Sequence, residues 1–180
     1  MVLSILSMAV GNIAAIVQTN IRRMLAYSSM AHMGYLLLGF VSGTPAGFGA
    51  SLFYVLVYAL MSLVAFAILA FMSTTTIEVN EIDDLRGLHQ RHPWLAFLML
   101  IVMFSMAGIP PSAGFFAKIA VLIALVHVHL VWLAAIALLF AVLGAYYYLR
   151  VVKTMYFESP VQGVESLKLE GMAKQLALLS

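Results

Sequence analysis

The chain has 180 residues, 64% of them hydrophobic and only 9% charged, with a mean hydropathy of +1.08, against about a quarter charged in an ordinary soluble domain. That is the composition of a membrane protein, and a formal net charge of +2 from so few ionisable groups leaves no clustered basic face for a nucleic acid. The absence of cysteine excludes thiolate-held iron–sulfur clusters and thiolate zinc sites, so electron transfer through such centres has to occur in another chain.

Residues 1–18 form an apolar run without the basic n-region or small-residue cleavage site of a signal peptide, so a transmembrane helix is expected over 2–18. The polar "QTNIRR" at 18–23 ends it, and a second span follows over 24–42. The turn-forming "SGTPAG" at 42–47 leads into a third span over 45–72. An acidic stretch from Ser73 to His92 separates this from a fourth span over 93–125, and the "HVH" turn at 127–129 precedes a fifth over 130–152. At about 20 apolar residues per crossing, residues 1–157 read as an all-α, polytopic membrane helix bundle of five crossings. Residues 158–180 read as a polar connection followed by "MAKQLALLS", the start of a sixth apolar helix, which suggests a truncated chain.

Charge fixes the expected orientation. No Asp, Glu, Lys or Arg occurs between Arg23 and Glu78, and between Arg91 and Arg150 there is only Lys118. The pairs Arg22 and Arg23, Arg86 and Arg91, and Arg150 and Lys153 fall in alternate connections, while "SGTPAG" and "HVH" carry no Lys or Arg. The arginine-bearing connections are therefore expected in the cytoplasm, with the N-terminus and the "HVH" turn on the opposite side.

The fourth span is too long for one straight helix, since about 33 residues would cover roughly 50 Å at the helical rise. Pro110 and Pro111 remove two donors and clash with the preceding turn, and Gly108 and Gly114 loosen the chain around them. A discontinuous transmembrane helix with its break near 107–112 is expected, with a simple proline kink as the alternative. Such a break at membrane depth requires a cover of protein or a water-filled cavity.

Lys118 follows the break and sits about 12 Å inside the external end of this span. A lysine there costs on the order of 3 kcal/mol; it snorkels outward, finds an acid, or holds its proton loosely enough to exchange it. No acid lies in the predicted membrane interior of this chain, which points to Lys118 as a proton-exchanging group. His32 in the second span titrates near neutral pH and shares a stripe with Ser28 and Ser29, giving either a relay or a hydrogen-bonded packing residue. Tyr54, Tyr58 and Ser62 recur every four residues on one face of the third span, a pattern that also serves helix packing. His127 and His129 are too few to hold a metal and read as interfacial. Gly39 and Gly43 make only a weak small-xxx-small pattern. No glycine-rich phosphate loop or nucleophile elbow is present.

"GNIAAIVQTNIRRMLAYSSMAHMGYLLLG", residues 11–39, and "FSMAGIPPSAGFFAK", residues 104–118, together resemble the antiporter-like membrane subunits of the proton-translocating NADH:quinone oxidoreductase, respiratory complex I. "YYYLRVVKTMYF", residues 146–157, points to one member in particular. The resemblance covers essentially the whole chain and corresponds to the later half of a fourteen-helix protein, roughly its ninth to thirteenth crossings. It implies a subunit of a proton translocase in the bacterial cytoplasmic membrane, with other membrane subunits and lipid as partners. No redox centre or cofactor belongs to this chain; NAD, flavin, iron–sulfur clusters and quinone belong to partner subunits.

By the same resemblance, Lys118 matches the residue of the central hydrophilic axis that delivers protons toward the external face. His32 matches a polar position connecting half-channels. The span over 45–72 corresponds to a second broken helix, but where a larger subunit of the family has "HxxxHxxxK" this chain has Tyr54, Tyr58 and Ser62. No second lysine is inherited, and a relay there, with Tyr58 and Ser62 as its candidates, needs hydroxyls and water. A multi-subunit sodium/proton antiporter shares these motifs and is the alternative.

Overall fold

In a computed structural model, residues 1–73 and 79–160 are described. They form α1 (Val2–Ile16), α2 (Ile21–Val41), α3 (Pro45–Met72), a short 3-10 turn (Ile82–Leu85), α4 (Leu88–Arg91), α5 (Pro93–Ala107), α6 (Ala113–His127) and α7 (Val131–Phe157). The starts are written locally. The Asn20 side chain accepts from the Arg23 amide, Thr44 Oγ1 from Gly47 and Ser112 Oγ from Phe115, satisfying donors at helix N-termini that have no intrahelical partner. Pro45 and Pro93 occupy first-turn positions, where proline's missing N–H costs nothing.

Three helices, α2, α3 and α7, are each long and apolar enough to cross a membrane. The apolar α1, α5 and α6 have 15 residues each, about 22 Å at the helical rise. The fourth predicted span is divided into α5 and α6 at residues 108–112. The fifth runs further than expected, to Phe157. The third departs from what the family resemblance implies, because α3 is one uninterrupted helix of 28 residues. After Gly49 it contains neither glycine nor proline, so nothing opens its hydrogen-bond ladder. Of the stretch between α3 and α5, residues 74–78 lie outside the described residues, as does the sixth apolar segment expected after residue 160.

The three arginine-bearing regions meet at one end of the bundle. Ile21 N–H donates to the Asn80 carbonyl (2.8 Å) and Ile82 N–H to that of Thr19 (2.9 Å). Arg22 donates to Ser73 Oγ, Arg150 to the Gln18 carbonyl, and Arg86 pairs with Glu158 at 2.9 Å. His89 Nδ1 lies 3.0 Å from the Met155 carbonyl. Val79, Ile82, Leu85 and Leu88 are buried beneath these contacts, so residues 79–91 form a packed cap. With α5 leaving this end and α7 returning to it, the break between α5 and α6 falls near mid-length of α2, α3 and α7.

Helices α1 and α2 approach so closely that a Cβ on Gly11 would strike the Ala31 backbone, and one on Gly34 would meet Met8 and the Ser4 carbonyl. This contact brings the buried polar residues of α2 to the centre of the bundle, against α3, α6 and α7.

Candidate functional site

The site grows out of the break. Gly108 takes φ +83°, the left-handed conformation that glycine adopts without steric cost at a helix end. Its N–H donates to the Phe104 and Ser105 carbonyls, and Ile109 N–H returns to Phe104. That leaves the last two carbonyls of α5, those of Met106 and Ala107. Both accept from Lys118 Nζ, at 2.8 and 2.9 Å. All four carbonyls that a helix C-terminus leaves without intrahelical partners are thus satisfied, two of them by the lysine of the following helix.

This geometry answers the question of how a lysine survives at this depth without a carboxylate. Lys118 is buried, 7% exposed, and its amine points to the break instead of the membrane surface. Hydrogen bonds to a charged donor contribute about 1.5–3 kcal/mol each, and a helix C-terminus favours a cation. Two such bonds offset the order of 3 kcal/mol that the lysine costs. Gly108 is required twice, because a Cβ there would also stand 2.9 Å from Lys118 Cδ and 3.1 Å from Nζ. Across the break, Gly114 N–H donates to Ser105 Oγ at 3.0 Å, and a Cβ on Gly114 would collide with the Ser105 carbonyl. Pro110 and Pro111, joined by a cis peptide bond, are exposed on the outer side. Lacking N–H groups, they present two fewer donors there.

His32 occupies a second centre. Its Nδ1 is 2.7 Å from the Tyr54 hydroxyl and its Nε2 is 3.0 Å from that of Tyr148. A neutral imidazole has one donor and one acceptor nitrogen, so one tyrosine accepts from the ring while the other donates to it. Reversing both hydroxyls exchanges the tautomers, which is what proton passage through the ring requires. Tyr58 stacks on the imidazole with centroids 4.5 Å apart, and its hydroxyl donates to Ser29 Oγ at 2.6 Å. On α7, Tyr147 packs beside Tyr148 and donates to Asn12 Oδ1 at 3.2 Å.

Two tight gaps join the centres. One is lined by His32, Tyr54, Tyr58, Ser105 and Lys118, and the other by Asn12, His32, Tyr35, Lys118, Tyr147 and Tyr148 among others. The first is too narrow for a water, and the second has about the room that one water needs.

Lys118, His32 and Tyr58 are therefore brought together, next to the break at Gly108, Pro110 and Pro111. Ser62 is not: its hydroxyl donates to the Ala59 carbonyl of its own helix and joins neither centre. His127 and His129 are exposed at the far end of α6. Nothing in the sequence alone marks Tyr35, Tyr54, Tyr147, Tyr148, Asn12 or Ser105 as site residues. Tyr54 was visible as part of the α3 stripe and Tyr147 and Tyr148 within "YYYLR", but which face they present depends on the packing of α7 against α1 and α5.

The chain is similar to the NADH-quinone oxidoreductase subunit N of Coxiella burnetii, with 60% identity over 158 residues, 88% of this chain and 33% of that protein. The protein of the same name from Thiobacillus denitrificans is 55% identical over 159 residues. The chain thus spans about a third of the length of the curated relatives it matches. Among solved structures, a chain of respiratory complex I from Thermus thermophilus superposes with a TM-score of 0.77 and 35% identity, covering 87% of this chain and 35% of that one. A chain of the Mrp complex from Dietzia sp. DQ12-45-1b gives a TM-score of 0.78 at 25% identity, covering 89% of this chain and 30% of the other. The family model described as NADH:quinone oxidoreductase/Mrp antiporter, TM, matches residues 1–144. The chain belongs to the NADH:quinone oxidoreductase/Mrp antiporter transmembrane family.

Proposed function

We propose that this chain is one part of a proton-translocating membrane subunit of NADH:quinone oxidoreductase, embedded by five crossings in the bacterial cytoplasmic membrane. In this reading α5 and α6 together make one crossing. NADH oxidation and quinone reduction take place in partner subunits, which hold NAD, flavin, iron–sulfur clusters and quinone, and this chain holds no redox cofactor. The observation that carries the reading is the pairing of a buried lysine, bonded to the carbonyls of a broken helix, with a histidine bracketed by two tyrosine hydroxyls.

Protons pass between the His32 centre and Lys118 by way of a water in the gap that both residues line, and Lys118 releases them toward the side opposite the arginine-rich end. Tyr58 joins the relay at its α3 edge through Ser29. A change of charge elsewhere in the assembly biases the two protonation states of Lys118, so coupling is electrostatic and needs two states of different affinity. Identity of 60% to an oxidoreductase subunit, against 25% to the Mrp chain, favours this over a sodium/proton antiporter. Flavin and iron–sulfur signals in the purified assembly separate the two.

The test replaces Lys118 with Met in the full-length subunit within the assembled complex. Quinone-coupled proton translocation falls by roughly tenfold or more, the scale of losing a positioned acid–base group. Undiminished translocation overturns the reading.

A further inference from the structure

Resting on the proposed role of Lys118, the contacts of its amine identify another residue that acts on it. Among the described residues, no protein group in contact with Nζ can take its proton: the Met106 and Ala107 carbonyls only accept hydrogen bonds, and the third neighbour is the ring of Tyr35, with Nζ 5.5 Å from the centroid. That distance is within cation–π range, and the attraction grows in a desolvated setting. The Tyr35 hydroxyl is committed elsewhere, donating to the Ala137 carbonyl at 2.7 Å. This bond ties the ring to α7 and fixes its face relative to the amine. Tyr35 also stacks on Tyr54, at 5.9 Å and 16°, and Tyr54 bonds His32. Tyr35 thus contacts both centres through its ring alone.

We propose that Tyr35 is a positioning residue whose aromatic face, not its hydroxyl, holds the charged form of Lys118 and thereby sets the pH range in which the subunit moves protons. The titratable groups facing Lys118 from the packed helices are His32 and Tyr35 on α2, Tyr54 and Tyr58 on α3, and Tyr147 and Tyr148 on α7. No carboxylate or second lysine lines either gap among the described residues. The ring therefore acts on the amine without competition from a fixed negative charge.

The experiment uses the full subunit in the assembled oxidoreductase, reconstituted into vesicles, with the pH profile of proton translocation as readout. Tyr35→Phe retains the face and moves the alkaline limb by only a small fraction of the shift that loss of the ring produces. Tyr35→Leu removes it and moves the alkaline limb down by about one pH unit, the scale of a desolvated cation–π contact. Should Tyr35→Leu fail to assemble, fluorinated phenylalanines at position 35 keep the shape while weakening the face, and the limb then moves down step by step with fluorination. A limb that follows loss of the hydroxyl, or ignores the ring's electronics, overturns the proposal. Lys118→Met is run beside these variants: if it leaves translocation intact, the underlying reading of Lys118 has failed, whereas its loss alongside an unmoved limb in Tyr35→Leu or the fluorinated series rejects only the role of Tyr35.

Discussion

The two buried centres, one on α6 at Lys118 and one on α2 at His32, are built from opposite materials. Around Lys118 the partners are backbone carbonyls and a ring face, which stabilise a charge and cannot carry a proton away. Around His32 the partners are hydroxyls on both ring nitrogens, which donate and accept in turn. The lysine's surroundings suit a group that stores a proton and the histidine's suit one that passes it. The difference comes from backbone architecture: the broken helix supplies free carbonyls, while the continuous α3 can supply only side chains.

Substitutions at the break test this contrast most severely. Gly108→Val places a branched side chain at a positive φ and against the Lys118 stem; it costs about 2–4 kcal/mol of stability from backbone strain and overpacking, read as reduced subunit incorporation and early thermal dissociation of the complex. A next smaller effect is expected at the other centre. His32→Ala leaves two buried tyrosine hydroxyls without their shared partner, costing about 1–3 kcal/mol, and slows translocation more than it slows quinone reduction. Tyr148→Phe removes one of the two hydroxyls on the ring nitrogens and gives a smaller loss of rate. Combined with Tyr54→Phe, it is non-additive if the two hydroxyls work through one ring, as a double-mutant cycle on translocation rates measures. Ser62→Ala should change neither assembly nor rate, within about 0.5 kcal/mol, because its hydroxyl bonds only its own helix.

Much of this was legible in the sequence because hydropathy and proline act locally. The order of the helices, the position of the break and the isolation of Lys118 all follow from which residues lipid and a helix ladder reject. The fate of the amine was not legible: snorkelling and exchange differ only in where the α5 carbonyls point, and that depends on Gly108 adopting a left-handed turn beside α6. Family resemblance misled at α3, where a break was implied although Leu52 to Met72 holds no helix breaker. Ser62 shared the spacing of Tyr54 and Tyr58 but not their fate, because its short side chain bonds back to its own helix while the longer tyrosines reach α2.

The central claim separates two duties of Lys118, capping α5 and exchanging a proton, and Lys118→Arg divides them. A guanidinium can donate to the Met106 and Ala107 carbonyls but does not give up its proton at physiological pH. Measured in the reconstituted complex as protons moved per quinone reduced, the account predicts an assembled, quinone-reducing enzyme whose translocation through this subunit is lost. An arginine variant that assembles and moves protons in the wild-type ratio would contradict it.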